Sequence, residues 1–159
     1  MTILRIATAL LLAGLMVVAG CASTPPRDET LYRELGQRSG IEALVETLLF
    51  RVSDDPRIAH HFADVDIIHL NDRLVEFLCV QSGGPCTYAG KPMAEAHKHM
   101  TVGEADFNAL VEDLMWAMDQ RKLPRTTQNR LLRVLATMQR DVVRRGPPPA
   151  EAPLLPPQP

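Results

Sequence analysis

Apolar residues recur every three or four positions along most of the chain, and this spacing is the strongest constraint on its fold. In the first such stretch the apolar residues are Ile41, Leu44, Val45, Leu48, Leu49 and Val52. Side chains at these intervals lie on one face of an α-helix, whereas a half-buried strand requires strict alternation. No segment alternates convincingly, so the sequence predicts an all-α fold.

Two more apolar stripes predict two more long helices. The residues of the second stripe are Ile67, Leu70, Leu74 and Phe77, and those of the third are Phe107, Leu110, Val111, Leu114 and Met118. The second helix must end before the Ser-Gly-Gly-Pro run at 82–85, because glycine and proline interrupt helices. Thr101 followed by Glu104 has the spacing of a capping box and predicts the start of the third helix.

A fourth helix is expected between Pro124 and Gly146, from about Thr126 to Arg144. Its inward residues are predicted to be Leu131, Val134, Leu135, Met138 and Val142. Short turns at 31–35 and 56–62 and a long irregular stretch at 82–92 complete the predicted chain.

The first twenty residues have the layout of a secretory signal. An apolar run at 6–18 follows Arg5 and is too short for a confident membrane span. The run leads into Val-Ala-Gly-Cys at 18–21, which resembles the lipobox of bacterial lipoproteins, where the cysteine is lipidated and becomes the new N-terminus. Each buried lipid methylene contributes about 0.8 kcal/mol, so several acyl chains on Cys21 would hold the protein at a membrane. The alternative is an ordinary signal peptide that has a cysteine near its end.

These features divide the chain into four parts. Residues 1–20 are predicted to form the lipoprotein signal peptide, 21–29 the lipidated tether, 30–145 the folded domain, and 146–159 a tail with seven prolines among fourteen residues. An aspartate directly after the lipidated cysteine would resemble an inner-membrane retention signal, but residue 22 is alanine. The expected location is therefore the cell envelope, at the outer membrane and facing the periplasm.

Charge and cysteine content narrow the possible partners. The chain has seventeen Lys and Arg and nineteen Asp and Glu, and its seven aromatic residues are scattered, which argues against nucleic-acid binding.

Cys79 and Cys86 remain as a pair in the expected oxidising compartment. A disulfide between them would close the short loop at 80–85 and contribute about 2.5 kcal/mol. A metal pair or two free thiols are the alternatives.

Among the five histidines, His97 has the most suggestive setting. It follows a loop with three glycines and two prolines and ends the short segment 92–97, which is long enough for about one and a half helical turns. A short helix presenting one imidazole to a cavity walled by Leu and Phe can supply an axial ligand to haem iron. A surface or packing histidine is the alternative interpretation.

Successive motifs along the domain resemble those of group 1 truncated haemoglobins. They are the segments 30–36, 40–45 and 55–58, then Phe62, then 83–85 and 88–91, then Met93, Ala96, His97, Asp106 and Phe107. The resemblance implies a two-over-two helical sandwich around noncovalent haem b. It also implies that His97 ligates the iron, that Phe62 packs on the haem face and that Lys91 can reach a haem propionate.

The resemblance also identifies where this chain departs from the family. Group 1 members commonly carry a distal tyrosine at the position of Leu49 and often a glutamine at that of Leu74, with Leu70 one turn earlier. Met93 and Leu110 complete the predicted haem contacts. A hydrogen bond to bound dioxygen contributes about 1.5 to 3 kcal/mol, and this leucine-lined pocket has no donor for it. Carbon monoxide and nitric oxide are therefore expected to be favoured relative to dioxygen.

The sequence thus predicts a lipid-anchored haem protein that reversibly binds oxygen, nitric oxide or carbon monoxide for sensing, scavenging or delivery. A haem enzyme such as a nitric oxide dioxygenase or peroxidase is the first alternative, and it would need a separate electron-donor protein. Three distal leucines argue against an enzymatic reaction at the haem, because general acid–base catalysis needs polar side chains near the iron. A haem-free envelope scaffold is the second alternative. His61 or His69 could also approach the iron and make it six-coordinate.

Overall fold

The computed structural model describes residues 28–143, and this range is helical without any strand. The helices are α1 Thr30–Glu34, α2 Gln37–Asp54, α3 Ile67–Gln81, α4 Met93–Ala96, α5 Glu104–Gln120, α6 Arg125–Ala136 and α7 Gln139–Val142, with a 3-10 helix at Ala59–Phe62. The all-α prediction is confirmed. The predicted signal peptide, Cys21 and the proline-rich tail lie outside the described residues.

Helix α2 forms the centre of the fold. Its buried residues are Ile41, Leu44, Val45, Leu48 and Val52, which are members of the apolar stripe that predicted it. One face of α2 packs on α3, and the helix also contacts α1, α5 and the 3-10 helix. Because α5 in turn packs on α6, the long helices form two pairs, α2 with α3 and α5 with α6. This arrangement is the predicted two-over-two sandwich.

The predicted fourth helix is interrupted. Helix α6 ends at Ala136, and the separate one-turn helix α7 begins at Gln139. At the break, the N–H groups of Thr137 and Met138 bond to carbonyls three residues earlier, and the Thr137 hydroxyl donates to the Val134 carbonyl at 2.7 Å. A threonine hydroxyl that competes for backbone carbonyls favours such a tightened turn.

Three smaller predictions need correction. The expected turn at 31–35 is largely helical, because α1 occupies Thr30–Glu34. Helix α5 is not capped by Thr101: it begins after Gly103, whose N–H donates to the Asp106 carboxylate at 2.9 Å. Ile67 is 46% exposed and does not face inward, since the buried residues of α3 begin only at Val75.

The connection from α3 to α4 is irregular, as predicted for 82–92. Cys79 and Cys86 form a disulfide across its start. The Ser82 hydroxyl donates to the Leu78 carbonyl at 2.7 Å, which satisfies an acceptor at the end of α3. Within residues 28–143, no helix is long and apolar enough to cross a membrane.

Candidate functional site

His97 lies directly after α4, and a hydrogen bond to its own helix fixes its ring. Pro92 precedes the first residue of α4, Met93. The Met93 carbonyl accepts the backbone N–H of His97 at 3.1 Å and lies 2.9 Å from the Nδ1 atom of the imidazole. The ring is half-buried. One backbone carbonyl therefore sets both the end of the helix and the orientation of the imidazole.

This hydrogen bond determines which ring nitrogen is available. A carbonyl oxygen can only accept, so we place the proton of a neutral His97 on Nδ1. Nε2 then carries the lone pair. A histidine whose Nδ1–H bonds to a backbone carbonyl has the usual arrangement of a metal ligand bound through Nε2. The residue selected from sequence thus has the tautomer that iron ligation needs.

The apolar residues selected from sequence come from five different elements. Five of them are partly buried and pack against the hydrophobic core, namely Leu49, Phe62, Leu74, Met93 and Leu110. Leu70, one turn before Leu74 on α3, is also half-buried. Three of these elements, α3, α5 and the 3-10 helix, pack on the fourth, α2. Large apolar side chains that stay half-covered around one helix suit a flat apolar ligand such as a porphyrin.

Lys91 is exposed, two residues before Met93. Its side chain is therefore available to a negatively charged group at the protein surface. Its backbone carbonyl accepts a hydrogen bond from the Tyr88 hydroxyl at 2.9 Å. Burial raises the pKa of Tyr88.

Two other histidines have defined surroundings. The Nε2 atom of His61 lies 3.4 Å from the Asp106 carboxylate at the start of α5. The Gly103 N–H bond to Asp106, together with His61, holds the pKa of that carboxyl below its usual value. His69 is exposed on the first turn of α3, where Asp66 caps its backbone N–H. A six-coordinate state through His61 would require this histidine to leave Asp106.

The sequence alone indicates no role for Tyr88 or Glu76. Glu76 accepts the backbone N–H of Ala89 at 3.0 Å and pairs with Arg73 at 2.9 Å. The Tyr88 ring packs edge-on against Phe77, with ring centroids 5.5 Å apart. The signal for Tyr88 was its place in the motif at 88–91, whereas nothing local marks Glu76, because its partner lies thirteen residues away.

Comparisons with known proteins identify relatives of this chain. Residues 30–144 match the family model described as bacterial-like globin. A group 1 truncated hemoglobin of Synechocystis sp. is 34% identical over 99 residues, which are 60% of this chain and 80% of that protein. The chain belongs to the group 1 truncated haemoglobin family. A second group 1 member, from Tetrahymena pyriformis, is 29% identical to this globin over 117 residues, 74% of this chain and 97% of that protein.

The fold of this globin agrees with a solved structure of the family. The crystal structure of truncated hemoglobin from Tetrahymena pyriformis in its Fe(III) form matches with a TM-score of 0.69 and 29% identity, over 71% of this chain and 97% of that chain. Both the two-over-two fold and the predicted cofactor, haem b in the usual noncovalent state of globins, are thereby confirmed. The His97 tautomer and the half-covered apolar side chains fit that cofactor.

Proposed function

We propose that this globin reversibly binds a small gaseous ligand at haem iron held by His97. The observation that carries the proposal is the 2.9 Å contact between His97 Nδ1 and the Met93 carbonyl, which leaves Nε2 as the ligating atom. The bound haem supplies an iron site that can take a diatomic gas. The chain's own residues orient the imidazole, cover the ring faces and determine the polarity beside the ligand.

Each predicted contact has a separate role in this proposal. Phe62 packs on a haem face, while Met93 and Leu110 cover its apolar edges. Lys91, which is exposed, pairs with a propionate and so stabilises haem through a charge-assisted contact. Leu49, Leu70 and Leu74 surround the gaseous ligand with hydrocarbon. They exclude water and donate no hydrogen bond, so ligands that depend little on a donor are favoured.

Absorption spectra of the haem-loaded full chain test the role of His97. We expect His97→Ala to lose or alter the five-coordinate ferrous spectrum and the carbon monoxide complex. His99→Ala is the matched control, because it removes an exposed histidine two residues away. It should leave both spectra unchanged. A His97→Ala protein with the wild-type ferrous spectrum would overturn the assignment.

We also propose that the globin is held at the cell envelope by lipid on Cys21. The support is the signal layout of residues 1–20 and the Val-Ala-Gly-Cys sequence at 18–21. Intact mass of the protein from its own membranes should show a chain that begins at Cys21 and carries acyl groups. Ala22→Asp should move the protein from the outer to the inner membrane fraction. A mature chain without acyl mass would contradict the anchor.

A further inference from the structure

Three contacts hold the loop between α3 and His97, and together we call them the loop brace. The first is the Cys79–Cys86 disulfide. The second is the hydrogen bond from the Ala89 N–H to Glu76 at 3.0 Å. The third is Tyr88, which packs on Phe77 and donates its hydroxyl to the Lys91 carbonyl at 2.9 Å. The disulfide, the Glu76 contact and the Phe77 contact each join the last two turns of α3 to the loop. The Tyr88 hydroxyl joins two residues of the loop just before α4.

The loop brace ends next to the groups that orient His97. The Tyr88 hydroxyl fixes the Lys91 carbonyl, Pro92 follows with its restricted backbone, and Met93 comes next. The Met93 carbonyl is the acceptor for the imidazole Nδ1. The carbonyl that Tyr88 holds, on Lys91, is therefore only two residues before the Met93 carbonyl that orients the His97 ring.

Two glycines show how closely the loop lies against its supports. A Cβ atom at Gly84 would lie 2.6 Å from the Tyr32 ring and 2.7 Å from the Cys79 sulfur. A Cβ atom at Gly90 would overlap the Tyr88 ring. Neither position has room for a side chain, so the backbone can approach the disulfide and the tyrosine directly.

We propose that the loop brace positions His97 and that haem is held more weakly when the Cys79–Cys86 disulfide is reduced. This inference rests on the proposed ligation of haem by His97. Reduction frees the loop from the end of α3, so the Met93 carbonyl and the imidazole sample more orientations. Groups that orient a metal-ligating histidine commonly change metal affinity about 10-fold when they are removed.

The two sulfurs differ in their access to a reductant. Cys79 is fully buried, whereas Cys86 is partly exposed. The Arg38 guanidinium lies 3.9 Å from the Cys86 sulfur, so an incoming thiolate meets a positive charge there. A dithiol, either small or on a protein, is the required reductant.

The exchange has two steps. The thiolate of the dithiol attacks the Cys86 sulfur, the disulfide bond breaks, and Cys79 leaves as a thiolate that takes up a proton. The second thiol of the reductant then attacks the mixed disulfide and releases Cys86 as a thiol. Two electrons pass to the cystine, and the dithiol ends as a disulfide.

The two tyrosines of the chain provide a matched test of positioning. Tyr88→Phe removes only the hydroxyl that holds the Lys91 carbonyl. Tyr32→Phe removes a hydroxyl that accepts the Arg38 N–H at 3.1 Å, and it leaves in place the ring that lies close to Gly84. We expect Tyr88→Phe to speed haem transfer to an apoglobin acceptor about 10-fold and to shift the iron–histidine stretching band. Tyr32→Phe should change neither. Equal haem-loss rates and bands in the two variants would overturn the proposal.

The disulfide is tested on the full chain with and without dithiol. Haem loss from the wild type should be faster after reduction, whereas a Cys79→Ser, Cys86→Ser double variant should lose haem quickly under both conditions. Equal rates for oxidised and reduced wild type would overturn the proposal. Amide exchange at 87–97 in the haem-free protein provides an independent readout and should rise on reduction; unchanged exchange would also overturn it. A chain that takes up no haem at all contradicts the proposed function instead, and exchange still reports on the loop.

Discussion

Arg57 holds the carboxylate of Asp55 through four hydrogen bonds between residues only two positions apart. The backbone N–H of Arg57 donates to Oδ1 at 2.9 Å, and its guanidinium donates to both carboxylate oxygens at 2.7 to 3.0 Å. These bonds lower the pKa of Asp55 to about 2. The pair closes the turn that follows α2, and Arg57 also reaches Glu112 on α5 at 2.6 Å.

Acid stability should depend on Asp55. Its pKa is about 2 in the folded protein and about 3.9 in an unfolded chain. A carboxyl with a lowered pKa stabilises the fold above its unfolded pKa, and this contribution is lost as the pH falls from about 4 to about 2. Asp55→Asn should therefore lower the unfolding temperature by several degrees at pH 7 and flatten its dependence on pH in that range. Thermal scans of Asp55→Asn beside Asp54→Asn, an exposed neighbour, measure this effect.

The ion pair between buried Asp113 and partly exposed Arg51 should respond unequally to loss of either partner. Asp113 is 1% exposed; its Oδ1 accepts from the Arg51 Nε at 3.0 Å, and its Oδ2 has no hydrogen-bond partner. Burial raises the pKa of Asp113, so any stability from its protonated form is lost as the pH rises through that pKa. At pH 7, Arg51→Ala should cost about 1 to 3 kcal/mol, because it leaves a buried carboxylate alone.

Asp113→Asn is the companion change. It removes the buried charge and should leave the free energy of unfolding at pH 7 unchanged or raise it. Urea unfolding of both variants compares them directly. Greater destabilisation by Asp113→Asn than by Arg51→Ala would show that the ion pair outweighs the cost of burying the carboxylate.

Loss of the Gln128 side-chain hydrogen bonds should destabilise the fold. It is 2% exposed, and its Nε2 donates to the Leu123 carbonyl at 2.9 Å and to Asp119 at 2.8 Å. Gln128→Leu removes these donors and should cost about 1 to 3 kcal/mol in chemical denaturation. Gln120→Leu, at an exposed position of α5, should stay within about 0.5 kcal/mol of the wild type. Equal losses in the two variants would mean that the buried hydrogen bonds contribute nothing.

Distal polarity should control the relative affinities for gases. Leu49→Tyr places a hydroxyl where this chain has hydrocarbon, and a new hydrogen bond to dioxygen should slow its dissociation about 10-fold or more. Dissociation of carbon monoxide should change much less. Leu49→Phe is the control, since it adds a ring of similar size without the donor. If Leu49→Phe slows oxygen dissociation as much as Leu49→Tyr does, size and not polarity is responsible.

Local pattern was sufficient to predict the long helices. The stripe at 41–52 lies wholly inside α2, because a helix that packs against several neighbours must keep one continuous apolar face. The break at Thr137 could not be predicted in this way. It depends on a hydroxyl bonding to the Val134 carbonyl, and neither glycine nor proline marks the position.

Local features of the candidate site are visible in the sequence, whereas contacts between distant residues are not. The setting of His97 after Pro92 is visible in the sequence, but the ring bond to Met93 depends on side-chain rotation. Asp113 offers no warning of its burial, because its partner Arg51 lies 62 residues earlier. Glu76 is similar, since its contact with Ala89 exists only after the loop folds back on α3.

Trp116 is the only tryptophan of the chain, and the Arg51 guanidinium lies 5.4 Å from the centre of its ring. Its ring is partly exposed on α5 and faces a residue of α2. The tryptophan emission of the protein therefore comes from one position, at the contact between α2 and α5. Unlabelled protein thus contains its own optical probe: separation of α2 from α5 changes the emission wavelength. Haem absorbs where tryptophan emits, so quenching of the same signal counts the molecules that have taken up the cofactor.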